Sequence, residues 1–292
     1  MSLLPIGLII ASCFLHAGWN LLARRERQEL VFFRRKLILG VPVSLAMIGV
    51  AHALGYSLPP WAWVCATGAG LIGGLYFRSL GLAYGSSDFT VVYPVARALP
   101  LLMVAALDLL RGRYPSALGW LAIVMVSAGC VLAPQRSYRD LTLRHYAGKA
   151  IVWILLTAAA TVGYTMLDKM AAEVVQRGVV SAVIQCGVFH IFSAVSYLAA
   201  QAVFEGPRPY AEDRVGWRLP AAAAVLGPMT YALVLWAYQL TPQTAYLVAF
   251  RQFSIVIGVV AAFRLYKEPG LAVRVPATLA IVAGLVLLAL WG

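Results

Sequence analysis

Two arginines stand where an apolar chain tolerates charge least. Arg97 sits between two prolines in Tyr93-Pro94-Val95-Ala96-Arg97-Ala98-Leu99-Pro100, inside an apolar stretch from Phe89 to Leu110. Arg251 sits in Phe250-Arg251-Gln252-Phe253-Ser254, equally far into a stretch from Gln243 to Arg264. In lipid-spanning helices both would lie near the midplane, roughly 14 Å from the surface at 1.5 Å per residue. An arginine there costs about 2.5–3.5 kcal/mol on insertion scales, so it faces a partner or a water-filled cavity. Its planar fork of five donors matches a carboxylate or phosphate in bidentate fashion. Internal counter-charge is scarce, because Asp108 and Asp168 fall near the ends of apolar runs and no acid falls mid-run. The pair therefore points to an anion-binding site, against the alternative that each arginine is tied to helix carbonyls or to a buried acid.

Other residues join this candidate set by spacing. Ser12, His16 and Asn20 recur at i, i+4 and i+8, a polar stripe on one helical face, with Trp19 beside it. Imidazole titrates near neutral pH, so His16 is the candidate for proton coupling, with a hydrogen-bonded packing role as the alternative. Tyr93, one turn before Arg97, joins Trp19, Tyr164, Tyr231, Trp236 and Tyr246 as candidate walls of an aromatic pocket, the alternative being a belt of aromatics at the membrane interface. Thr165, Gln252 and Arg78 complete the set, although Arg78 lies close enough to its helix end to snorkel into the interface.

These residues need elements to carry them. The chain has 292 residues, 62% hydrophobic and only 12% charged, with a mean hydropathy of +0.84. Soluble domains carry about 25% charged residues, so this is read as an integral membrane protein. The net charge of +12 does not indicate nucleic-acid binding, because the basic residues fall mainly between apolar runs and not on a polar surface. Four cysteines stand singly in apolar runs and read as small core residues. Ten runs approach the ~20 residues that span a bilayer. They lie near 3–23, 31–51, 61–84, 88–110, 116–134, 147–168, 179–203, 217–238, 243–264 and 271–291. The expected fold is all-α with ten transmembrane helices, since unbroken apolar runs do not alternate as strands do. The first run is followed by Arg24-Arg25-Glu26-Arg27 and not by a cleavage site, so it is expected to be retained as a helix.

The runs repeat. Thr157, Thr161 and Thr165 echo Ser12, His16 and Asn20, and Tyr164 stands where Trp19 stood. One offset carries Gly73 onto Gly227, Ala83-Tyr84 onto Ala237-Tyr238, Arg97 onto Arg251 and Pro115 onto Pro269. The chain thus divides into five-helix halves, 1–135 and 146–292, joined by a loop at 136–145. Five is odd, so the halves are inverted, an arrangement that places a transporter's substrate near the midplane between them.

The two five-helix repeats, the segment His16-Ala17-Gly18-Trp19-Asn20 followed by Arg24, and the Ala128-Gly129 and Ala283-Gly284 pairs resemble EamA-type members of the drug/metabolite transporter superfamily. The resemblance covers essentially the whole chain. It implies alternating-access transport of a small molecule with no cofactor, and a phosphate-holding role for Arg97 and Arg251 on the fourth and ninth helices. The expected substrate is an anionic or zwitterionic metabolite bearing phosphate, phosphonate or carboxylate. Flipping of a phosphate-bearing lipid-linked carrier and export of amino acids or drugs are the alternatives. No HExxH, GxSxG or paired-Asp spacing supports an intramembrane enzyme. The compact loops suggest a bacterial inner membrane. Loops after odd-numbered helices hold sixteen basic residues against four after even-numbered ones, which puts the odd loops in the cytoplasm and both termini outside. The family resemblance implies the reverse.

Overall fold

The computed structural model describes residues 3–23, 28–86, 89–133, 135, 137–140, 149–205, 216–257, 260 and 270–291, and gives Trp19, Asn20, Tyr93 and Arg97 by their backbone alone. The described residues form ten α-helices, a single 3-10 turn and no strand. The helices are α1 (Leu3–Ala23), α2 (Glu29–Ala53), α3 (Pro60–Ser86), α4 (Phe89–Leu110), α5 (Ala117–Leu132), α6 (Lys149–Val174), α7 (Val179–Glu205), α8 (Arg218–Leu240), α9 (Thr244–Arg251) and α10 (Leu271–Trp291). Five stretches are long and apolar enough to cross a membrane: Leu30–Ala53, Ile151–Val174, Val179–Glu205, Arg218–Leu240 and Leu271–Trp291. Shorter apolar helices cover Leu3–Gly18, Ala98–Leu110, Ala117–Leu132 and Thr244–Ile257. This is the build of a multi-pass membrane protein. Its exterior carries Leu, Val, Phe and Trp side chains that water would not tolerate in such number.

Local chemistry sets the helix ends. Ser116 caps α5, its Oγ accepting a 2.9 Å bond from the Gly119 amide. Gly112 turns the chain out of α4 at a φ of +69°, a conformation open to glycine and strained for other residues. Small residues then set the approach of the helices. A Cβ on Gly70, Gly73 or Gly74 of α3 would strike Phe189, Phe192, Ser193 or Ser196 of α7. At the α5–α10 contact, Gly129 meets Ile281 and Gly284 meets Val126.

The helix pairings are led by α3 with α6 and α7, α5 with α10, α8 with α1 and α2, and α2 with α7, followed by α4 with α5, α6 and α9, α8 with α7 and α6, α1 with α9 and α2 with α3. The largest core cluster runs through α1 and α4 to α10, with Val162 and Ala172 from α6 and Ala182 and Cys186 from α7.

Two features depart from the sequence expectation. The sixth helix does not end at residue 168 but runs on to Val174, carrying Asp168, Lys169 and Glu173 inside it. Charged residues continue this helix because each finds a partner there. The ninth helix is interrupted at Gln252, whose amide bonds the Ala249 carbonyl at 2.9 Å in a 3-10 step before the helical course resumes through Ile257.

Candidate functional site

The site is assembled around Asp168. Residues 164, 165 and 168 share a face of α6, and Asp168 is fully buried. The Tyr231 hydroxyl of α8 donates to its Oδ2. Gln185 Nε2 of α7 bonds its backbone carbonyl at 3.0 Å and its Oδ1 at 3.4 Å. A buried carboxylate survives only with such donors around it.

Aromatic rings wall this carboxylate. Tyr164 meets Tyr76 of α3, Phe189 of α7 and Tyr231 edge-on, at centroid distances of 5.5, 5.7 and 6.3 Å. Phe189 and Tyr231 lie 4.5 Å apart, and His190 meets Tyr231 edge-on at 5.9 Å. Arg251 enters from α9, half-buried, at the broken turn before Gln252. Its guanidinium interacts with the Tyr238 hydroxyl and lies within electrostatic reach of Tyr164, Tyr231 and Asp168. Among the described residues no carboxylate oxygen comes within 4.0 Å of its guanidinium. Arg251 and Asp168 therefore both neighbour Tyr231 without forming an ion pair with each other.

Several buried polar atoms here lack a hydrogen-bond partner among the described residues: Thr165 Oγ1, Gln185 Oε1 and Gln252 Oε1. The broken turn beside Arg251 is held from α1, where the Cys13 thiol approaches the Phe250 and Arg251 carbonyls at 3.6 and 3.5 Å. Ser254 Oγ donates to the Arg251 carbonyl at 3.0 Å. Irregular backbone at membrane depth is tolerated only inside protein or beside a cavity, so its coincidence with Arg251 is informative.

The structure brings together Arg251, Tyr164, Thr165 and Gln252 of the expected set. Thr157 and Thr161 bond their own helix at Trp153 and Thr157, at 2.7 and 2.8 Å, which leaves Thr165 as the polar member of that stripe without a partner in its helix. Two other expectations change role. Arg78 forms a 2.7 Å ion pair with Glu205 and stacks 5.1 Å over Phe204, at the rim of the bundle. Tyr246 is buried between helices, its hydroxyl accepting a 3.2 Å bond from the Ser116 amide beside Gly119. His16 is half-buried on α1. The side chains of Arg97, Tyr93, Trp19 and Asn20 lie outside the described residues. The scarcity of acid read from the sequence is corrected by Asp168, which lies well inside its helix and within electrostatic reach of Arg251. Asp108 serves the framework, its Oδ2 accepting the Ala245 amide at 2.8 Å where α9 begins.

A chain of charge closes one end of the bundle. Glu173 of α6 pairs with Arg111 at 2.7 Å and with Arg113, both from the α4–α5 loop. Lys169 lies 3.6 Å from Glu173 and donates to the Tyr238 and Thr241 carbonyls at 2.7 and 2.5 Å. Arg113 also bonds the Pro242 carbonyl at 2.8 Å. This network joins the α4–α5 loop, α6 and the end of α8 on the Lys169 side of Asp168.

No family model matches this chain, and no curated protein matches it. A solved structure described only as the crystal structure of a protein is similar, with a TM-score of 0.71 at 18% sequence identity, covering 98% of this chain and 97% of that one. That likeness establishes a shared fold and no more. The site's chemistry must therefore be argued from its own residues. Sequence reading missed Gln185 and the pairing of Tyr231 with Asp168. The available signal was Asp168-Lys169 read as a helix end, where the opposite charges on successive turns, Lys169 and Glu173, fit a helix that continues.

Proposed function

We propose that this protein is a secondary transporter that moves a small zwitterionic or anionic metabolite by alternating access. The observation that carries the reading is a buried Asp168 and Arg251 that lie within electrostatic reach of each other beside the same tyrosines without forming an ion pair. A carboxylate or phosphate of the substrate bonds the guanidinium, and an ammonium group takes Asp168 and the π-faces around it. The arrangement favours the zwitterion over a simple anion, because an anion alone leaves Asp168 repelling it.

Ten spans in two inverted halves are part of this proposal. Exchanging α1–α5 for α6–α10 turns the α3–α6 pairing into α8–α1, α3–α7 into α8–α2 and α4–α6 into α9–α1, and each of these pairings occurs. The α2–α7, α4–α9 and α5–α10 pairings map onto themselves, as they do across a two-fold axis. The reading keeps the EamA-type resemblance, a bacterial inner-membrane location and the midplane position of Arg97 as proposals.

The test is thermal stability of the detergent-purified protein against a panel of amino acids, organic acids, phosphates, phosphonates and cationic drugs. A ligand at 100 times its Kd adds about 2.7 kcal/mol to the folded state. Zwitterions and anions are expected to raise the melting temperature, and Arg251→Gln to abolish the rise. Stabilisation by cationic drugs alone, unaffected by Arg251→Gln, contradicts the proposal.

A second reading has one observation in its favour. A lateral groove of about 390 Å³ between α3 and α6 is lined by Ile72, Leu75, Trp153 and Phe204, with Arg78 at its end. That shape suits a lipid-linked carrier, but Glu205 already neutralises Arg78. Uptake of a water-soluble substrate that lipid-linked sugars do not compete would exclude it.

A further inference from the structure

The groove between α3 and α6 has apolar walls and a charged rim. Ile72 and Leu75 of α3 face Trp153, Leu156 and Ala159 of α6 along it, and Arg78 and Phe204 stand at one end. Leu75, Leu156 and Phe204 are exposed on the outside of the bundle, so the groove opens sideways onto the hydrocarbon of the bilayer. Ile72 lies roughly 9 Å deeper along α3 than Arg78 at 1.5 Å per residue. It also packs against the cluster of Tyr164 and Phe189, so the floor of the groove is one side-chain layer from those rings. At the rim, Arg78 Nη1 donates to Glu205 Oε1 at 2.7 Å, the side chains being 11% and 25% exposed. The guanidinium has five donors, of which this bond engages one, and a carboxylate accepts from more than one donor. The helix packing does not require this pair. The offset that carries Arg97 onto Arg251 relates Arg78 to Ala232 and Glu205 to Ala51, on the equally paired α8 and α2. A partly exposed ion pair also adds only about 0.2–1 kcal/mol to stability.

We infer that this groove binds a resident bilayer phospholipid whose zwitterionic headgroup carries a primary ammonium, the chemistry of phosphatidylethanolamine. Such a lipid stays with the protein, unlike a carrier that is moved across, and its site is independent of what the central region transports. One acyl chain lies along Ile72, Leu75 and Leu156, the phosphate bonds Arg78 and the ammonium bonds Glu205. Opposite charges standing 2.7 Å apart have no net charge, and they match a headgroup that has none. A phosphatidylglycerol headgroup brings a phosphate without a cation and sets it beside Glu205. A phosphatidylcholine headgroup brings a cation with no N–H to donate to the carboxylate, whereas a primary ammonium offers three. Trp153 suits the same rim, since indole rings settle at headgroup level.

The experiment is native mass spectrometry of the full chain, stripped of lipid in detergent and titrated with dioleoyl lipids. The probes are phosphatidylethanolamine, its N-methyl and N,N-dimethyl forms, phosphatidylcholine and phosphatidylglycerol. Wild type is compared with Arg78→Gln, Glu205→Gln and Ala159→Phe, and the melting temperature of each variant reports folding. The first lipid bound by wild type is expected to be phosphatidylethanolamine, preferred over phosphatidylcholine and phosphatidylglycerol by about ten-fold or more, the scale of one charged hydrogen bond. Affinity is expected to fall along the N-methyl series as donors are lost. Glu205→Gln is expected to remove the preference over phosphatidylcholine while leaving phosphatidylcholine binding intact, and Arg78→Gln to weaken phosphatidylethanolamine. Ala159 is an exposed wall of the groove, so Ala159→Phe fills it and is expected to weaken every lipid alike. Equal first binding of the three headgroups by wild type overturns the inference, as does a preference for phosphatidylglycerol. Phosphatidylethanolamine affinity unchanged in both Glu205→Gln and Ala159→Phe places the lipid elsewhere and overturns it too. If a charge variant does not fold, the N-methyl series on wild type and Ala159→Phe decide together.

Discussion

At the scale of single residues the decisive feature is a carboxylate held ready by neighbours that do not neutralise it. Tyr231 and Gln185 donate to Asp168, and both are neutral, so neither supplies it with a counter-charge. Tyr231→Phe keeps the ring contacts with Phe189, Tyr164 and His190 and removes one hydrogen bond to a charged group. Such a bond contributes about 1.5–3 kcal/mol. The expected outcome is a melting temperature several degrees lower and weaker binding of ammonium-bearing ligands, with binding of simple anions unchanged. Differential scanning fluorimetry of the variant with and without ligand checks this. Arg251 was legible in the sequence as a candidate, because a charge in an apolar run has few explanations. Its neighbour Asp168 was not. Asp168 stands directly before Lys169, and a charged pair at the end of an apolar run reads as a helix end when the partners that bury it lie on α7 and α8.

At the scale of elements, Lys169 and Glu173 decide where α6 stops and how α8 ends. Lys169 donates to two carbonyls at the end of α8, where no further helical turn is available to take them. Lys169→Met leaves the Tyr238 and Thr241 carbonyls without that donor and is expected to destabilise the protein by about 1–3 kcal/mol. A denaturant or thermal series in detergent measures this. Glu173 behaves differently, being about a quarter exposed at the side chain and bonded to Arg111 and Arg113 from another part of the chain. Partly exposed ion pairs contribute about 0.2–1 kcal/mol, so Glu173→Gln should scarcely change stability. It should instead loosen the end of the bundle that this network closes. A cysteine placed at Pro242 in a cysteine-free background should react faster with a polar maleimide when Glu173 is Gln. An unchanged labelling rate would show that the network does not hold that end shut. The helix ranges themselves were largely legible, since lipid demands continuous hydrogen-bonded turns wherever the chain is apolar. The interruption at Gln252 was not, because nothing in Phe250-Arg251-Gln252-Phe253 disfavours helix locally.

At the scale of the whole molecule, small residues govern how closely α5 and α10 approach. Gly129 and Gly284 face each other's helices across the α5–α10 contact, each filling space that a Cβ would take from the other helix. Gly129→Leu would drive its side chain against Ile281 and the Ala277 carbonyl. Overpacking of this kind costs about 1–3 kcal/mol, and Gly284→Leu should give a matching loss because the contact is reciprocal. Paired thermal melts of the two variants test that symmetry. The sequence showed these glycines as small-residue pairs late in the fifth and tenth runs, but which helix each one met needed the fold. The positive bias of the odd-numbered loops is also adjusted here, since Arg35, Lys36 and Arg274 are buried within helices. It keeps its sign without them, so reporters at the termini are still expected to place both outside.

The central claim is that Arg251 and Asp168 hold the two ends of one substrate. The most direct measurement is uptake of labelled glutamate and labelled alanine into proteoliposomes containing wild type, Arg251→Gln or Asp168→Asn. The account predicts saturable, competable uptake of at least one of them by wild type, and its loss in both variants by about ten-fold or more, the scale of one charged contact. Undiminished uptake in both Arg251→Gln and Asp168→Asn would contradict it.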